Sequence, residues 1–438
     1  MKKQTYHILL LLAVVILGAA SACNQNDIFE ALSRTESGDQ VFSAAMLLAH
    51  WKFDNDVLDS SGNGITGTPY NAAYERGVVG TRALRGNGTN CYVDFGASLC
   101  PTLTTDRDWS LSFWARTDVT ETSFIECVGS FTVSLDASGR VRLSKAYGDW
   151  TGVRGNTTIA PYRWAHIALV HHRNNTVNIF INGAAETITT NLTALSTGSS
   201  VWVGRTSIPG YLNGAIDDVR VFSGILGTGD IQNLAALGPV SWWRLDESAG
   251  PPQDAMIAQN NGTVYGATQN TIGGQFNGYA SFNAASNQYI ALPNAGNVIS
   301  QSSPWTFAFW MRVTDLGIDH HFIGNSVPWT IRYNYYTPIL NRLYFFAGSS
   351  YSSFVTNPGF TANTWAHIAV TGSGATDTLV FYIDGVPFAL AGGNFGGYAT
   401  SSDIWLGRFG SFYFTGDLDD VRVYRRILSQ TEIDEIRQ

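Results

Sequence analysis

Charged side chains are scarce in this sequence. Asp, Glu, Lys and Arg together make up 14% of the 438 residues, below the share of about a quarter that soluble domains usually have. The formal net charge is -8, and no run of Lys or Arg occurs. A surface that binds nucleic acid needs clustered positive charge to meet the phosphate backbone. The composition therefore argues against nucleic acid as a partner.

Patterns that would carry catalysis are also missing. The sequence has no Gly-x-Ser-x-Gly elbow and no Gly-x-x-x-x-Gly-Lys phosphate loop. A glycosidase needs two acidic side chains that flank the scissile bond, and no predicted strand carries Glu and Asp in that manner. Glu121 and Glu126 flank a predicted turn and lie five residues apart. We predict no catalytic residues and a protein that is not an enzyme.

The one long apolar run is at the N-terminus. Lys2 and Lys3 precede an apolar run at residues 8–17, and small residues follow at 18–22. This pattern predicts a signal peptide over residues 1–22, because the run is too short for a membrane-spanning helix. Residues 23–45 are polar and Gly-containing, which predicts a flexible tether.

Two fates follow from the end of this segment. Residues 20–22 (Ala-Ser-Ala) fit ordinary cleavage, which would release a soluble secreted protein. The same residues followed by Cys23 resemble a bacterial lipobox, in which the cysteine is acylated. We predict an exported lipoprotein of the bacterial outer membrane or cell surface, with the membrane contacted by the lipid anchor only, and keep secretion as the alternative.

Beyond the N-terminal segment, cysteine is limited to Cys91, Cys100 and Cys127. Export permits a disulfide, and an odd count leaves at least one thiol unpaired. Proximity in the sequence favours Cys91 with Cys100. The spacing of the three does not match a zinc site.

What the sequence does have is a repeat. Residues 216–222 (Ile-Asp-Asp-Val-Arg-Val-Phe) return as residues 418–424 (Leu-Asp-Asp-Val-Arg-Val-Tyr). Each copy alternates as a half-buried strand does. Two adjacent carboxylates at the head of a strand are costly unless cations or hydrogen-bond donors meet them. An arrangement that occurs twice indicates that each of two units needs it.

Other segments recur in the same order. Trp-Ala-His-Ile-Ala at residues 164–168 is answered by Trp-Ala-His-Ile-Ala at 365–369, and Val-Trp-Val-Gly-Arg at 201–205 by Ile-Trp-Leu-Gly-Arg at 404–408. Many short strands, 45 glycines and Asn-Gly turns predict two all-β units. We predict domains at residues 46–235 and 238–438, each an antiparallel two-sheet sandwich, and one helix start at the capping-box pattern of residues 429–432.

These segments carry a resemblance to a known family. Trp-x-Phe-Asp (51–54), Asp-Ser-Ser-Gly-Asn-Gly (59–64), Trp-Ala-His-Ile-Ala, Ile-Asn-Gly (181–183) and the Asp-Asp strand, in that order, resemble the laminin-G-like branch of the concanavalin A-like jelly rolls. Residues 254–262 depart from the Asp-Ser-Ser-Gly-Asn-Gly pattern in the second unit. The resemblance implies two tandem laminin-G-like jelly rolls and a habit of binding glycans, proteins or calcium.

Aspartates are the candidate metal ligands. A carboxylate pair at a strand head, joined by carboxylates from the opening strand and its turn, supplies the hard oxygens that calcium takes. Alternatively, these side chains cap backbone N–H groups of turns. The predicted set for a structural calcium ion is Asp54, Asp59, Asp217 and Asp218 in the first unit and Asp246, Asp419 and Asp420, with Asp254 a weaker candidate, in the second.

The aromatic residues, 13% of the chain, are the candidate ligand contacts. Sugar rings stack on aromatic faces, and their hydroxyls need polar neighbours. We predict that Trp329, Tyr335, Tyr336 and Tyr413 line a ligand groove in the second unit, with packing between the two units as the alternative. The first unit offers fewer candidates: Tyr147, Trp150 and Tyr211.

Histidines are expected to be structural. His166 and His367 occupy matching places in the Trp-Ala-His strands, with no second ligand recurring beside them. The pairs at residues 171–172 and 320–321 have no counterparts and are predicted to be surface pairs rather than zinc sites.

Taken together, the sequence predicts a non-catalytic, extracellular carbohydrate-binding surface protein. Its partner would be an extracellular polysaccharide or glycan. Two alternatives remain open: an adhesion or scaffold module that binds another surface protein, and an accessory subunit of a polysaccharide-degrading system.

The lipid anchor can be tested by fractionation. Expressed in a Gram-negative host, the wild-type protein should sediment with membranes, and Cys23→Ala should shift it to the soluble fraction because the acylation site is gone. Release of the wild type into the soluble fraction would contradict the anchor.

Overall fold

The computed structural model of the chain describes residues 45–145, 153–190, 195–208, 210–294, 298, 303–325, 329–334, 341–347, 351–373, 378–390 and 403–438. The predicted signal peptide, Cys23 and all of the predicted tether except its last residue, Ala45, lie outside these ranges, as do Tyr147, Trp150, Tyr335 and Tyr336. Within them, no helix is long and apolar enough to cross a membrane.

The first sandwich consists of two antiparallel sheets. Its strands, in chain order, are β1 Met46–Trp51, β2 Thr68–Tyr70, β3 Ala73–Arg76, β4 Arg82–Asn87, β5 Tyr92–Asp94, β6 Trp109–Thr117, β7 Thr122–Cys127, β8 Phe131–Leu135, β9 Arg140–Lys145, β10 Val153–Thr158, β11 Trp164–His172, β12 Thr176–Ile181, β13 Ala184–Thr190, β14 Val201–Val203 and β15 Asn213–Ser223. One sheet has the order β13-β12-β11-β6-β15-β4-β3, with β1 also paired to β15, and the other has the order β10-β9-β8-β7-β14-β5-β2. Helix α1, Thr228–Ala235, follows.

The second sandwich repeats this plan. Its strands are β16 Ser241–Trp243, β17 Thr263–Tyr265, β18 Thr268–Asn270, β19 Tyr279–Phe282, β20 Tyr289–Leu292, β21 Trp305–Arg312, β22 His320–Gly324, β23 Trp329–Tyr333, β24 Arg342–Ala347, β25 Tyr351–Thr356, β26 Ala366–Ser373, β27 Thr378–Ile383, β28 Val386–Leu390, β29 Ile404–Leu406, β30 Arg408–Phe409, β31 Phe412–Tyr413 and β32 Gly416–Tyr424. Its sheets run β18-β19-β32-β21-β26-β27-β28, with β16 on β32, and β17-β20-β29-β22-β23-β24-β25; β30 and β31 form a hairpin. A 3₁₀ turn lies at Ala284–Ser286 and helix α2 at Gln430–Ile436. The predicted all-β fold of two antiparallel sandwiches is confirmed.

Strand alternation builds each core. In β6, Leu111 and Phe113 lie in the core between the two sheets, while the intervening Ser112 and Trp114 lie on the other face of their sheet. In the first sandwich, Ile231 and Leu234 of α1 pack on Phe180 over that outer face. In the second, α2 buries Ile433 and Ile436 in the matching place. The predicted capping box is confirmed, because Ser429 and Glu432 accept from each other's backbone N–H groups.

The two sandwiches contact one another through an apolar cluster and an ion pair. Trp114 and Trp164 of the first pack with Trp242 and Met256 of the second, all of them buried. The guanidinium of Arg76 donates to both carboxylate oxygens of Asp420, at 2.8 and 2.9 Å. The short connection at residues 237–239 therefore joins two bodies that are also held by buried contacts.

The expected cysteine pairing is wrong. All three thiols are free and buried. The Sγ of Cys100 lies 3.8 Å from that of Cys127, whereas the Sγ of Cys91 faces the carbonyl of Arg85 at 3.1 Å. Proximity in sequence misled because Cys100 follows the end of one strand and packs against another, β7.

Two buried histidines should make stability pH-dependent. Burial lowers the pKa of His166 and of His367 to about 3, whereas an unfolded chain protonates histidine near pH 6.5. Their contribution is therefore complete above pH 6.5 and is lost as the pH falls towards 3. At pH 5, we expect each to have cost about 2 kcal/mol of unfolding free energy relative to its value well above pH 6.5. In urea unfolding, the double variant His166→Gln, His367→Gln should show a flatter acid decline and each single variant about half that effect. An unchanged pH slope in the double variant would contradict this.

Candidate functional site

An aromatic cluster covers part of the outer face of the first sandwich. In β5 and β14, Val93 and Val203 point into the core, so the neighbouring Tyr92 and Trp202 lie on the opposite face. Tyr70 of β2 stacks on Tyr92 with ring centroids 4.6 Å apart and planes at 4°. The Trp202 and Tyr211 rings lie 5.9 and 6.2 Å from the Tyr92 ring.

An arginine fixes the centre of this cluster. The guanidinium carbon of Arg205 lies 4.2 Å from the Trp202 ring centroid, 5.0 Å from Tyr92 and 5.4 Å from Tyr211. Cation–π attraction to three rings holds Arg205 and the rings in one arrangement. The cluster is therefore a preformed surface rather than a set of independent side chains.

The second sandwich carries the same cluster. Tyr265 stacks on Tyr289 at 4.3 Å and 1°, and Trp405 and Tyr413 lie 6.1 and 6.4 Å from the Tyr289 ring. Arg408 lies 4.4 Å from the Trp405 centroid, 4.6 Å from Tyr289 and 5.4 Å from Tyr413. We call these two groups cluster 1 (Tyr70, Tyr92, Trp202, Arg205, Tyr211) and cluster 2 (Tyr265, Tyr289, Trp405, Arg408, Tyr413).

Each cluster leaves one ring open to solvent. Tyr70 is 43% exposed and Tyr265 48% exposed, whereas their stacking partners are half-buried. Both open rings lie on the last strand of their sheets, β2 and β17. Exposed amides of Asn71, Asn87 and Asn90 border cluster 1. The Asn71 amide donates to the Asn90 carbonyl, and the Asn87 amide donates to the Asn90 side chain. A flat ring beside amide groups can take a ligand that has both an apolar face and hydroxyls.

The first aspartate of each Asp-Asp pair holds a loop. The Oδ2 of Asp217 accepts from the backbone N–H of Val78 at 2.8 Å and of Val79 at 3.0 Å. The Oδ2 of Asp419 accepts from Gln275 and Phe276 at 2.7 and 3.3 Å. The loops come so close that a Cβ on Gly77 would meet Asp217 at 2.9 Å, so only glycine fits there without a shift.

The other predicted calcium ligands also accept backbone N–H groups. Asp54 accepts from Thr81 and Arg82 at 2.6 and 2.8 Å, and Asp246 from Gly278 at 2.8 Å. Asp59 accepts from three N–H groups around its turn, and Asp254 does the same in the second sandwich. These hydrogen bonds are the ones expected if the aspartates cap backbone N–H groups, which is the alternative to calcium binding. In the described ranges, no group of three or more His, Cys, Asp or Glu side chains is arranged to hold a metal ion.

In each pair, the pKa of the first aspartate is raised and the pKa of the second is lowered. Burial raises the pKa of Asp217 well above its ordinary value. Burial and the neighbouring Asp420 raise the pKa of Asp419 to about 7. Burial also opposes ionisation of Asp420, but the Arg422 and Arg76 guanidiniums outweigh it and hold its pKa below the ordinary value. The second position of the pair is thus the permanent anion.

A family comparison agrees with this architecture. The Laminin_G_3 family model of the concanavalin A-like lectin/glucanases superfamily matches residues 87–232 and again residues 283–434, which together are more than half of the chain. The chain belongs to this family.

Several solved structures are similar to this laminin-G-like chain. Domain 4 of an extracellular GH43 arabinanase from Geobacillus stearothermophilus, in complex with arabinotriose, is 25% identical over 44% of this chain and 98% of that domain, with a TM-score of 0.37. The binding domain of paraclostridial mosquitocidal protein 1 is 11% identical over 83% of this chain and 98% of that one, with a TM-score of 0.41. None of the curated proteins matches the chain.

The structure places the residues of the predicted ligand groove in different surroundings. Trp329 is 0% exposed and stacks on Phe345 in the core at 5.9 Å, so its assignment to an open groove is wrong. Tyr413 belongs to cluster 2, and its counterpart Tyr211 belongs to cluster 1. Tyr335 and Tyr336 lie outside the described residues.

Most of the cluster residues were not singled out from the sequence. Tyr92, Trp202 and Arg205 recur as Tyr289, Trp405 and Arg408 at matching positions of the two units, and this recurrence was the available signal. The surface placement of the histidine pairs is also wrong, because His171, His320 and His321 are all buried. His166 is structural as expected, with its Nε2 at 2.8 Å from the Ser112 hydroxyl.

The calcium prediction can be tested by thermal unfolding. The Oδ1 atoms of Asp217 and Asp419 are buried without a hydrogen-bond partner among the described residues. If calcium binds, these are the oxygens it would contact, and each carboxyl would have to be ionised despite its raised pKa. Calcium at about 100 times its Kd should stabilise the fold by about 2.7 kcal/mol. Asp217→Asn and Asp419→Asn should reduce the rise in Tm, and Asp108→Asn, in the surface pair with Arg173, should not. Equal Tm values in calcium and in chelator would contradict calcium binding.

Proposed function

We propose that this laminin-G-like chain binds carbohydrate without altering it, through clusters 1 and 2. The observation that carries the proposal is the recurrence of five matched side chains on the outer faces of two sandwiches. The packing of the core does not require these side chains to recur, because the core residues lie on the other face of the same strands.

The open rings of Tyr70 and Tyr265 have the chemistry for a sugar. The C–H face of a pyranose or furanose ring is apolar and stacks on an aromatic face. Each open ring is backed by a second, parallel tyrosine at 4.6 or 4.3 Å. The ring therefore loses little conformational freedom when a ligand covers it, which lowers the cost of binding.

Polar groups for the sugar hydroxyls lie beside the rings. In the first sandwich, the loop after β4 presents Asn87 and Asn90, whose amides bond at 2.7 Å. In the second, the corresponding loop presents Asn283 and Gln288, which bond at 2.8 Å through the Asn283 N–H. A stacking surface with amides at its border is suited to hydroxyl groups, which both donate and accept.

The carboxylates near the clusters support binding rather than hydrolysis. Asp94 pairs across the sheet with Trp202, but Ala291 takes that place beside Trp405. Glu126, also opposite Trp202, is buried and accepts from the Ser207 hydroxyl at 2.8 Å, and Gly324 replaces it in the second sandwich. Two acids thus lie opposite Trp202 in the first sandwich and none at the same two positions opposite Trp405 in the second. The feature that the two clusters share is their rings and not the pair of acids that glycoside hydrolysis requires.

The proposal includes the location predicted from the sequence. We propose that the protein is exported and held at a bacterial surface by acylated Cys23, so that both clusters meet extracellular polysaccharide. Two sites on one chain would bind one polymer with greater avidity than either site alone.

Affinity gel electrophoresis over a panel of polysaccharides tests the sites. Tyr70→Ala and Tyr265→Ala remove exposed rings and should leave the fold intact. In a gel containing a neutral polysaccharide that retards the wild type, each should weaken retardation, by about tenfold in affinity at its own site, and the double variant should migrate as it does without polysaccharide.

The matched control is Phe354→Ala. Phe354 is an exposed aromatic on β25, the strand at the opposite end of the sheet that contains Tyr265. It should be retarded like the wild type. Normal retardation of the Tyr70, Tyr265 double variant, or no retardation of the wild type by any polysaccharide, would overturn the proposal and favour a protein partner.

A further inference from the structure

A cavity of about 350 Å³ lies where the two sandwiches meet. The first sandwich contributes Arg116, Tyr162 and Arg163 to its walls, and the second contributes Arg244, Glu247 and Gln253. It is separate from both clusters, with which it shares no residue. Its size suits one small ring-shaped ligand rather than a long chain.

Arg244 is the arginine in this wall that makes no ion pair or hydrogen bond with a carboxylate of the described residues, although Glu75 and Asp246 are near enough to favour its charge. Three guanidinium groups surround the Trp242 ring: Arg422 at 4.0 Å, Arg244 at 4.4 Å and Arg76 at 5.4 Å. Asp420 pairs with Arg76 at 2.8 Å and with Arg422 at 3.2 Å. Arg244 has no such partner among the described residues, and its Nε and Nη2 are buried without a hydrogen bond.

The other two arginines of the cavity are already occupied. Arg116 donates to Glu75 at 2.9 Å, and Arg163 donates to the Asp254 carbonyl and to Gln253 at 2.7 Å. Burial and the nearby Arg116 lower the pKa of Arg244 to about 10. Arg244 therefore remains a cation at neutral pH, and a buried cation without a partner favours an anionic ligand.

Tyr162 stands at the mouth of the cavity in an unfavourable backbone conformation. Its φ is 65° and its side chain is 61% exposed. Asn363 holds the matching position of the second sandwich, with a φ of 63°. The N–H of each donates to the end of the preceding long strand, to Thr117 and Val313 respectively. Asparagine adopts this conformation more readily than tyrosine does, and the Tyr162 side chain is too exposed to contribute much packing, so neither accounts for a tyrosine here.

We infer that the cavity binds the carboxylate of an acidic sugar, with the guanidinium of Arg244 on the carboxylate and the Tyr162 ring against the sugar face. The inference rests on the proposed carbohydrate-binding function and narrows its ligand to polysaccharides that contain uronic acid units. Asp246 and Glu247 also line the cavity and oppose each negative charge that enters it, so a monoanion fits better than a phosphate dianion.

Calorimetric titration of the whole chain with three small probes tests this inference. D-Glucuronate offers both the ring and the carboxylate, D-glucose only the ring, and acetate only the carboxylate. We expect D-glucuronate to bind at least about tenfold more tightly than either of the others, since charge-assisted hydrogen bonds and stacking both contribute.

Two variants locate the binding. Arg244→Gln should weaken D-glucuronate binding by at least about tenfold. Tyr162→Asn, which installs the residue of the second sandwich, should also weaken it while leaving the Tm equal to or above that of the wild type. If Arg244→Gln unfolds the protein, Tyr162→Asn still tests the site.

The results separate this inference from the proposed function. If neutral polysaccharide retards the chain but D-glucuronate binds no better than D-glucose, the cavity site is wrong and the clusters stand. Binding of D-glucuronate that survives both variants would likewise overturn the cavity site. If D-glucuronate binds and both variants lose it while no polysaccharide retards the chain, the cavity binds an acid but the clusters do not bind sugar.

Discussion

The second aspartate of each Asp-Asp pair lies at a bulge in its strand, with a φ of 49° at Asp218 and 50° at Asp420. The bulge separates the pairing of β15 with β6 into two registers, and that of β32 with β21 in the same way. The arginine two residues later returns to the carboxylate, at 3.0 Å in one copy and 3.2 Å in the other. A buried carboxylate needs a further donor. In the first sandwich this is His50, at 2.7 Å, and in the second it is Arg76, supplied by the first sandwich. The same buried carboxylate therefore bonds to β1 of its own sandwich in the first copy and to the other sandwich in the second copy.

This joint has consequences for the surface. Arg76 of the first sandwich and Trp242 of the second both donate hydrogen bonds to Asp420. These bonds hold together the two sandwiches whose residues form the walls of the cavity at Arg244. Backbone pairing adds to it: the Trp164 N–H donates to the Ala255 carbonyl at 2.8 Å and the Ile257 N–H to the Trp164 carbonyl at 3.1 Å. The two clusters lie on the other sheets, away from this joint, where each remains open to a ligand. Preorganised surfaces would lower the conformational cost of the proposed carbohydrate binding.

The fold could be predicted because its signals are local and repeated. Strand alternation, Asn-Gly turns and the recurring Asp-Asp strand each act within a few residues. Which face of each strand lies in the core is harder to predict. Period two separates two sets of residues but does not say which set meets the other sheet, so it does not reveal that Trp329 lies in the core and not in an open groove. Cluster 1 combines residues as far apart as Tyr70 and Tyr211, and the Arg76 to Asp420 pair crosses between the two units. No local pattern encodes such contacts, although the matched positions of Tyr92 and Tyr289 were visible in the sequence.

The most direct measurement of the central claim is a crystal structure of the whole chain with an oligosaccharide cut from a polysaccharide that retards it. We expect one sugar ring stacked on Tyr70 and another on Tyr265, with amides of Asn87 and Asn90 or of Asn283 and Gln288 within hydrogen-bond distance of its hydroxyls. A sugar bound elsewhere, with both tyrosine rings left in solvent, would contradict it.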